Sequence, residues 1–186
     1  MTSCNYKLHG LTKRQQSKFE GKGGFNAKQW GPNLWNSLFM MILGTYPVKF
    51  DETNHNHKKI RQSFISLMLG LQYLLPCSFC RVSFKQFSKE LPIRSFTDTR
   101  VNMVYWLYLM KDKVNKKLLK QELEFLNDNY KSFNLSKVSY EEYSRRAKLC
   151  FMTVPTPPFI EVLNHYEQHR ATCSKKLKKC VAKTVK

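Results

Sequence analysis

The sequence predicts an all-α fold: four amphipathic helices closing into a bundle, a short fifth helix, and basic flexible N- and C-terminal extensions. Three observations lead there. Apolar residues recur at three- and four-residue spacing through successive segments bounded by prolines and polar loops. No segment alternates apolar and polar residues long enough to read as a strand. At 186 residues, 42% of them hydrophobic and 13% aromatic, the chain can bury one core and not two.

Residues 1–29 form the first extension. Lys7, Lys13, Arg14, Lys18, Lys22 and Lys28 stand against Glu20, and the run Gly21-Lys22-Gly23-Gly24 marks a flexible basic arm. The folded domain spans 30–150 and opens at Trp30-Gly31-Pro32-Asn33-Leu34-Trp35, where the proline marks a helix start. Leu34, Trp35, Leu38, Phe39, Met41 and Ile42 follow at helical spacing until Tyr46-Pro47 ends the helix. After a polar loop from Asp51 to His57, the stripe Ile60, Phe64, Leu67, Met68, Leu71 and Leu75 makes the second helix. A third begins at Cys77 and runs to about Lys89 through Val82, Phe84 and Phe87, before Leu91-Pro92 breaks it. Ser95-Phe96-Thr97-Asp98 resembles a capping signal for the fourth, which carries Val101, Val104, Tyr105, Tyr108, Val114 and Leu118. Its first half is apolar nearly all round, so it is the helix expected to be most buried. Ser139-Tyr140-Glu141-Glu142 is a capping box opening a short fifth helix to about Cys150. Residues 151–186 then form a linker, extended through Val154-Pro155-Thr156-Pro157-Pro158, and a basic tail with Cys173 and Cys180.

A net charge of +19 calls for an anionic partner or a solvated basic surface; weak, non-specific contact of arm and tail with nucleic acid or acidic surfaces is expected through charge alone. The first residues lack the apolar core of a secretory leader, and no run approaches the roughly 20 apolar residues of a membrane helix. Six cysteines in such a chain point to a reducing, cytoplasmic setting rather than secretion, with disulfides that are catalytic or transient.

The chemistry centres on Leu74-Leu75-Pro76-Cys77-Ser78-Phe79-Cys80. Two thiols one helical turn apart, behind a proline that suits the first turn, sit where the positive end of the helix dipole favours a thiolate. The alternatives are half of a zinc site, or two buried structural cysteines. His165, His169 and Cys173, four apart, would share one helix face, but the spacing matches no finger pattern and a lysine-rich tail opposes a cation, so no metal is expected. His55 and His57 read as loop residues.

Trp30-Gly31-Pro32-Asn33-Leu34-Trp35, Pro76-Cys77-Ser78-Phe79-Cys80 and the stretch from Trp106 to Leu118, in that order and separation, resemble the Erv/ALR family of FAD-linked sulfhydryl oxidases over about residues 30–120. The compact length and missing leader are similar to its large-DNA-virus branch. The resemblance implies a helical bundle, homodimeric, holding FAD non-covalently beside the C-x-x-C, with Cys80 against the flavin and Cys77 exchanging with substrate. It implies flavin contacts from Trp30, Trp35, Phe39, Tyr46, Lys111, Val114, Asn115 and Lys117. Trp35 matches the tryptophan lining the flavin, Val114 and Asn115 the end of an H-N-x-V-N motif, and Lys117 a basic residue near the nucleotide. The chain departs from the family at Lys111-Asp112, where the motif has His-Asn, at Phe39, where a histidine is usual, and at Tyr108, where a structural cysteine would stand.

The activity implied by the resemblance is that of a thiol oxidase, which takes two electrons from protein dithiols onto Cys77/Cys80, then to FAD and to O2, giving peroxide, in a setting such as virion protein oxidation. Tail cysteines shuttle electrons in that family, which makes Cys173 and Cys180 candidates. Two rivals stand beside it. A thioredoxin-like reductase needs a strand before its C-x-x-C, where this chain has a long amphipathic helix. A basic nucleic-acid-binding or assembly protein with a structural C-x-x-C accounts for the charge.

Overall fold

A computed structural model describes residues 24–132, 139–142, 153–174 and 179–182, together with Arg14. The expected helical bundle is present: α1 (Ala27–Thr45), α2 (His55–Leu74), α3 (Ser78–Glu90) and α4 (Arg100–Ser132), with a 3-10 turn at Ile93–Phe96 between the last two. Beyond the prolines come α5 (Phe159–Glu167) and an antiparallel pair, β1 (Ala171–Ser174) and β2 (Lys179–Ala182).

Helix starts are set by side-chain caps more than by prolines. The Asn26 side chain accepts the Lys28 N–H at 3.0 Å, so α1 begins inside the stretch read as arm, and Pro32 lies within the helix rather than at its start. There Pro32 costs one ladder bond at an exposed position. The Asn54 side chain accepts the N–H groups of Asn56 and His57, starting α2 at His55. His57 is tied to the loop it closes, its Nδ1 accepting the Asp51 N–H at 3.2 Å.

The core lies between these helices. Phe39 and Ile42 of α1, Met68 of α2, and Met103, Val104, Trp106, Leu107 and Met110 of α4 are wholly inaccessible, and the first half of α4 is indeed the most buried stretch. Each such side chain contributes roughly 1.5–3 kcal/mol by leaving water. Two polar groups carried into this core are paired: Trp106 Nε1 donates to the Leu91 carbonyl at 3.0 Å, and the Tyr46 hydroxyl to the Thr97 carbonyl at 2.7 Å. An unpaired group there would cost about 1–3 kcal/mol. Arg100 Nε closes the same corner on the Tyr46 carbonyl at 2.6 Å.

The C-terminal extension, expected to be flexible, carries regular structure. Val154 to Pro158 forms neither helix nor strand, as its prolines dictate, and Pro158 is the N-cap of α5. Phe159, Val162, Leu163 and Tyr166 make a helical stripe, with Val162 and Tyr166 buried against the bundle. Of the fifth helix expected over Ser139 to Cys150, residues 140–142 are helical, and the Glu142 N–H donates to Ser139 Oγ at 3.2 Å. The rest of that segment with Cys150, and residues 1–13, with Cys4, and 15–23 of the arm, lie outside the described residues. Among the described residues no helix is long and apolar enough to cross a membrane.

Candidate active site

α2 stops at Leu74, Pro76 blocks its continuation, and the chain turns into α3 with Cys77 itself as N-cap. Pro76 therefore stands just outside the helix, and a sulfur takes the capping place: Cys77 Sγ accepts the Cys80 N–H at 3.3 Å. Arg81 locks the turn by donating from Nη1 to the Leu75 carbonyl at 2.6 Å. A strap crosses from the other side. The Phe25 N–H donates to the Pro76 carbonyl at 2.8 Å, and Trp30 Nε1 donates to the Phe25 carbonyl at 3.2 Å. Gly24 passes so close that a Cβ would lie 2.5 Å from the Pro76 oxygen. Sequence reasoning placed Gly24 in the arm; only the packing shows why glycine stands there.

The two thiols are free, half-buried and unequal. Burial pushes Cys80 up to about 11, its hydrogen bond and charge contact with the Cys77 sulfur push the same way, and Lys117 offsets part of this. Burial also acts to raise Cys77. There it is outweighed by the Cys80 thiol, by the N–H groups of Cys80 and Phe79 at the helix start, and by Lys117, which together hold Cys77 below the ordinary thiol value. Lys117 reaches this end of the site from α4, where its ammonium donates to Ser83 Oγ. Cys77 is thus the thiol that ionises first, and Cys80 the one that keeps its proton.

The residues that the resemblance assigns to a flavin fall into groups. Trp30, through the strap, and Lys117, through Ser83, share the α3 end with the cysteine pair. Trp35 is half-buried against the core, and Val114 is half-buried on α4. Phe39 and Lys111, two of the departures from the family pattern, meet: the Lys111 ammonium lies 5.9 Å from the Phe39 ring centroid. Lys111 is half-buried without a carboxylate partner among the described residues, and burial lowers its pKa. Tyr46 is a core tie, its hydroxyl pushed up to about 12 chiefly by burial. Asn115 Nδ2 donates to Thr156 Oγ1 at 2.9 Å.

Thr156 belongs to a segment missed as a site neighbour. The Tyr108 hydroxyl donates to the Pro157 carbonyl at 3.0 Å, Phe159 packs on Tyr105 and Tyr108, and Tyr166 stacks on Phe39. The signal was present, since Phe159, Val162 and Tyr166 keep helical spacing behind the prolines. Cys173 and Cys180 are directly paired Cα partners across β1 and β2. The His165 and His169 rings lie 5.1 Å apart; among the described residues no three metal-type side chains gather.

The donor set suits an anionic, planar cofactor: Lys111 and Lys117 offer ammonium groups without carboxylate partners among the described residues, and Trp30 and Trp35 offer half-exposed indoles. The Phe39 ring face and the Asn115 amide are already engaged by Tyr166 and Thr156. Two hollows, both lined by Arg61, Arg94 and Thr97, include none of these residues.

A family model described as Erv1 / Alr matches residues 32–140, more than half of the chain. Among solved structures, the chain is similar to the crystal structure of the yeast Erv1 core, at 18% identity over 62% of this chain and 84% of that one, with a TM-score of 0.43. No curated protein matches it in sequence.

Proposed function

The chain belongs to the Erv1/Alr family of sulfhydryl oxidases, and on that premise we propose that Cys77 and Cys80 oxidise the thiols of protein substrates, with FAD as resident cofactor and O2 as final acceptor. The observation that carries this reading is the unequal pair at the start of α3.

With the pair as a disulfide, a substrate thiolate attacks Cys77 Sγ, the S–S bond breaks, and Cys80 leaves with the electron pair. Cys80 then takes up a proton, as its raised pKa favours, while the Lys117 ammonium stabilises the negative charge in passing. The second substrate thiol attacks the mixed disulfide, and Cys77 leaves as the thiolate that the helix N–H groups hold. Substrate gains a disulfide and the enzyme pair is reduced by two electrons. FAD supplies the onward chemistry when bound, accepting that electron pair and passing it to oxygen. Trp30 and Trp35 would flank its rings, Lys111 and Lys117 would hold its phosphates, Asn115 would contact it once released from Thr156, and Phe39, Tyr46 and Val114 would back the site.

The reading extends to a homodimer and to virion proteins as substrates in a cytoplasmic setting, on the large-DNA-virus resemblance. A shuttle role for Cys173 and Cys180 is supported by their pairing across the strands, since opposed Cα atoms in an antiparallel pair fall within disulfide reach. The test is direct: purified protein is yellow with bound flavin and consumes oxygen with dithiothreitol, and Cys80→Ser abolishes turnover while flavin stays bound. A folded, colourless protein that cannot be reconstituted with FAD overturns the reading.

A further inference from the structure

We propose that the surface around Cys77 and Cys80 is a docking site for acidic polypeptide segments whose cysteines are flanked by apolar side chains; this rests on the oxidase reading and names its substrate class. Eight large apolar side chains among the described residues are 68–79% exposed, and five of them, Phe25, Tyr73, Leu74, Phe79 and Val82, belong to one place. Phe79 lies between the two cysteines, Tyr73 and Leu74 end α2 just before them, and Val82 follows in α3. Phe25 is held there by its hydrogen bond to the Pro76 carbonyl.

Leu71, Leu75 and Phe84 already fill the inward positions of the same segments, so these five add nothing to the core. A single exposed apolar residue needs no explanation, but five around a reactive pair form a patch of the kind that marks an interaction surface.

Charge narrows the occupant. No Asp or Glu occurs from residue 53 to residue 89, whereas Arg81, Lys85 and Lys89 lie on α3 itself and Lys117 reaches the pair from α4. Glu90, the first acid, is taken by Lys113 at 2.8 Å. An apolar patch in a positive field complements a partner that is both apolar and acidic. A second copy of a +19 chain, or its own lysine-rich arm, would bring like charge to this face. A nucleic acid would leave the aliphatic Leu74 and Val82 without a role.

The test compares oxygen consumption by the full-length flavoprotein with three substrates: dithiothreitol, a two-cysteine peptide with Leu, Phe and Glu flanks, and the same peptide with Ser and Lys flanks. The first peptide is expected to exceed the second by about tenfold or more in kcat/KM, the scale of discrimination that an apolar contact provides. Tyr73→Ser with Val82→Ser should remove most of that difference through KM and leave dithiothreitol turnover unchanged. Equal kcat/KM for the two peptides overturns docking alone, as does a variant that slows dithiothreitol and peptide alike. A variant that turns a dimer into a monomer without altering peptide kinetics assigns the patch to self-association and also overturns it. A parent inert towards dithiothreitol overturns the oxidase reading itself, and the docking proposal with it.

Discussion

Tyr166 stacks on Phe39 with ring centroids 4.9 Å apart and planes 17° from parallel, and its hydroxyl donates to Asn36 Oδ1 at 2.8 Å. A helix beyond the family match is thereby fastened to the first helix of the bundle. Tyr166→Ala should cost about 3–5 kcal/mol in urea unfolding, as large aromatic truncations in cores do. Tyr166→Phe keeps the stack and should cost only about 1 kcal/mol for the lost hydrogen bond. Equal, negligible losses would mean that α5 is not docked in solution.

The unequal thiols make reactivity depend on pH in a stated direction. In the reduced protein, iodoacetamide should label Cys77 at a pH below the ordinary thiol range, and Cys80 only as pH approaches about 11. Lys117 favours both thiolates, so Lys117→Met raises the Cys77 pKa and slows its labelling at fixed neutral pH. Mass spectrometry of the labelled peptides across a pH series reads both midpoints; labelling of Cys80 before Cys77 would refute the assignment.

Two glycines should respond oppositely to alanine. At Gly24 the added methyl meets the Pro76 carbonyl at 2.5 Å, so Gly24→Ala should destabilise by about 1–3 kcal/mol and alter Cys77 labelling by shifting the strap. At Gly31, inside α1, nothing lies within 4 Å, and Gly31→Ala should stabilise by roughly 0.5–1 kcal/mol. Denaturant midpoints of the two variants decide it.

If Lys111 holds a flavin phosphate, it trades stability for cofactor affinity. A half-buried ammonium beside Phe39 without a counter-charge among the described residues carries a desolvation cost, and Lys111→Met keeps the stem and the helix propensity. Unfolding free energy should stay level or rise by about 1 kcal/mol. Flavin affinity, titrated by fluorescence quenching, should fall about tenfold if the ammonium holds a phosphate. Unchanged affinity would remove Lys111 from the cofactor site.

Features encoded within a helical turn or two were legible in the amino-acid order. The apolar stripes of α1 to α4, the break at Pro76 and the placing of two thiols at a helix start all arise from spacings and from proline's missing N–H, which need no distant partner. The long-range pairings came from packing. Asn36 and Tyr166 stand 130 residues apart, and no spacing records that one side of α1 awaits an aromatic ring from beyond a proline run. The α5 stripe was legible, but four apolar positions in a lysine-rich tail carry less weight than the tail's composition until the bundle offers a face to bury them. Gly24 read as one more arm glycine because the cost of its Cβ resides in the Pro76 carbonyl. The unequal pKa values of Cys77 and Cys80 come from burial and from Lys117 on another helix; sequence supplied the two sulfurs, and packing decided which one ionises.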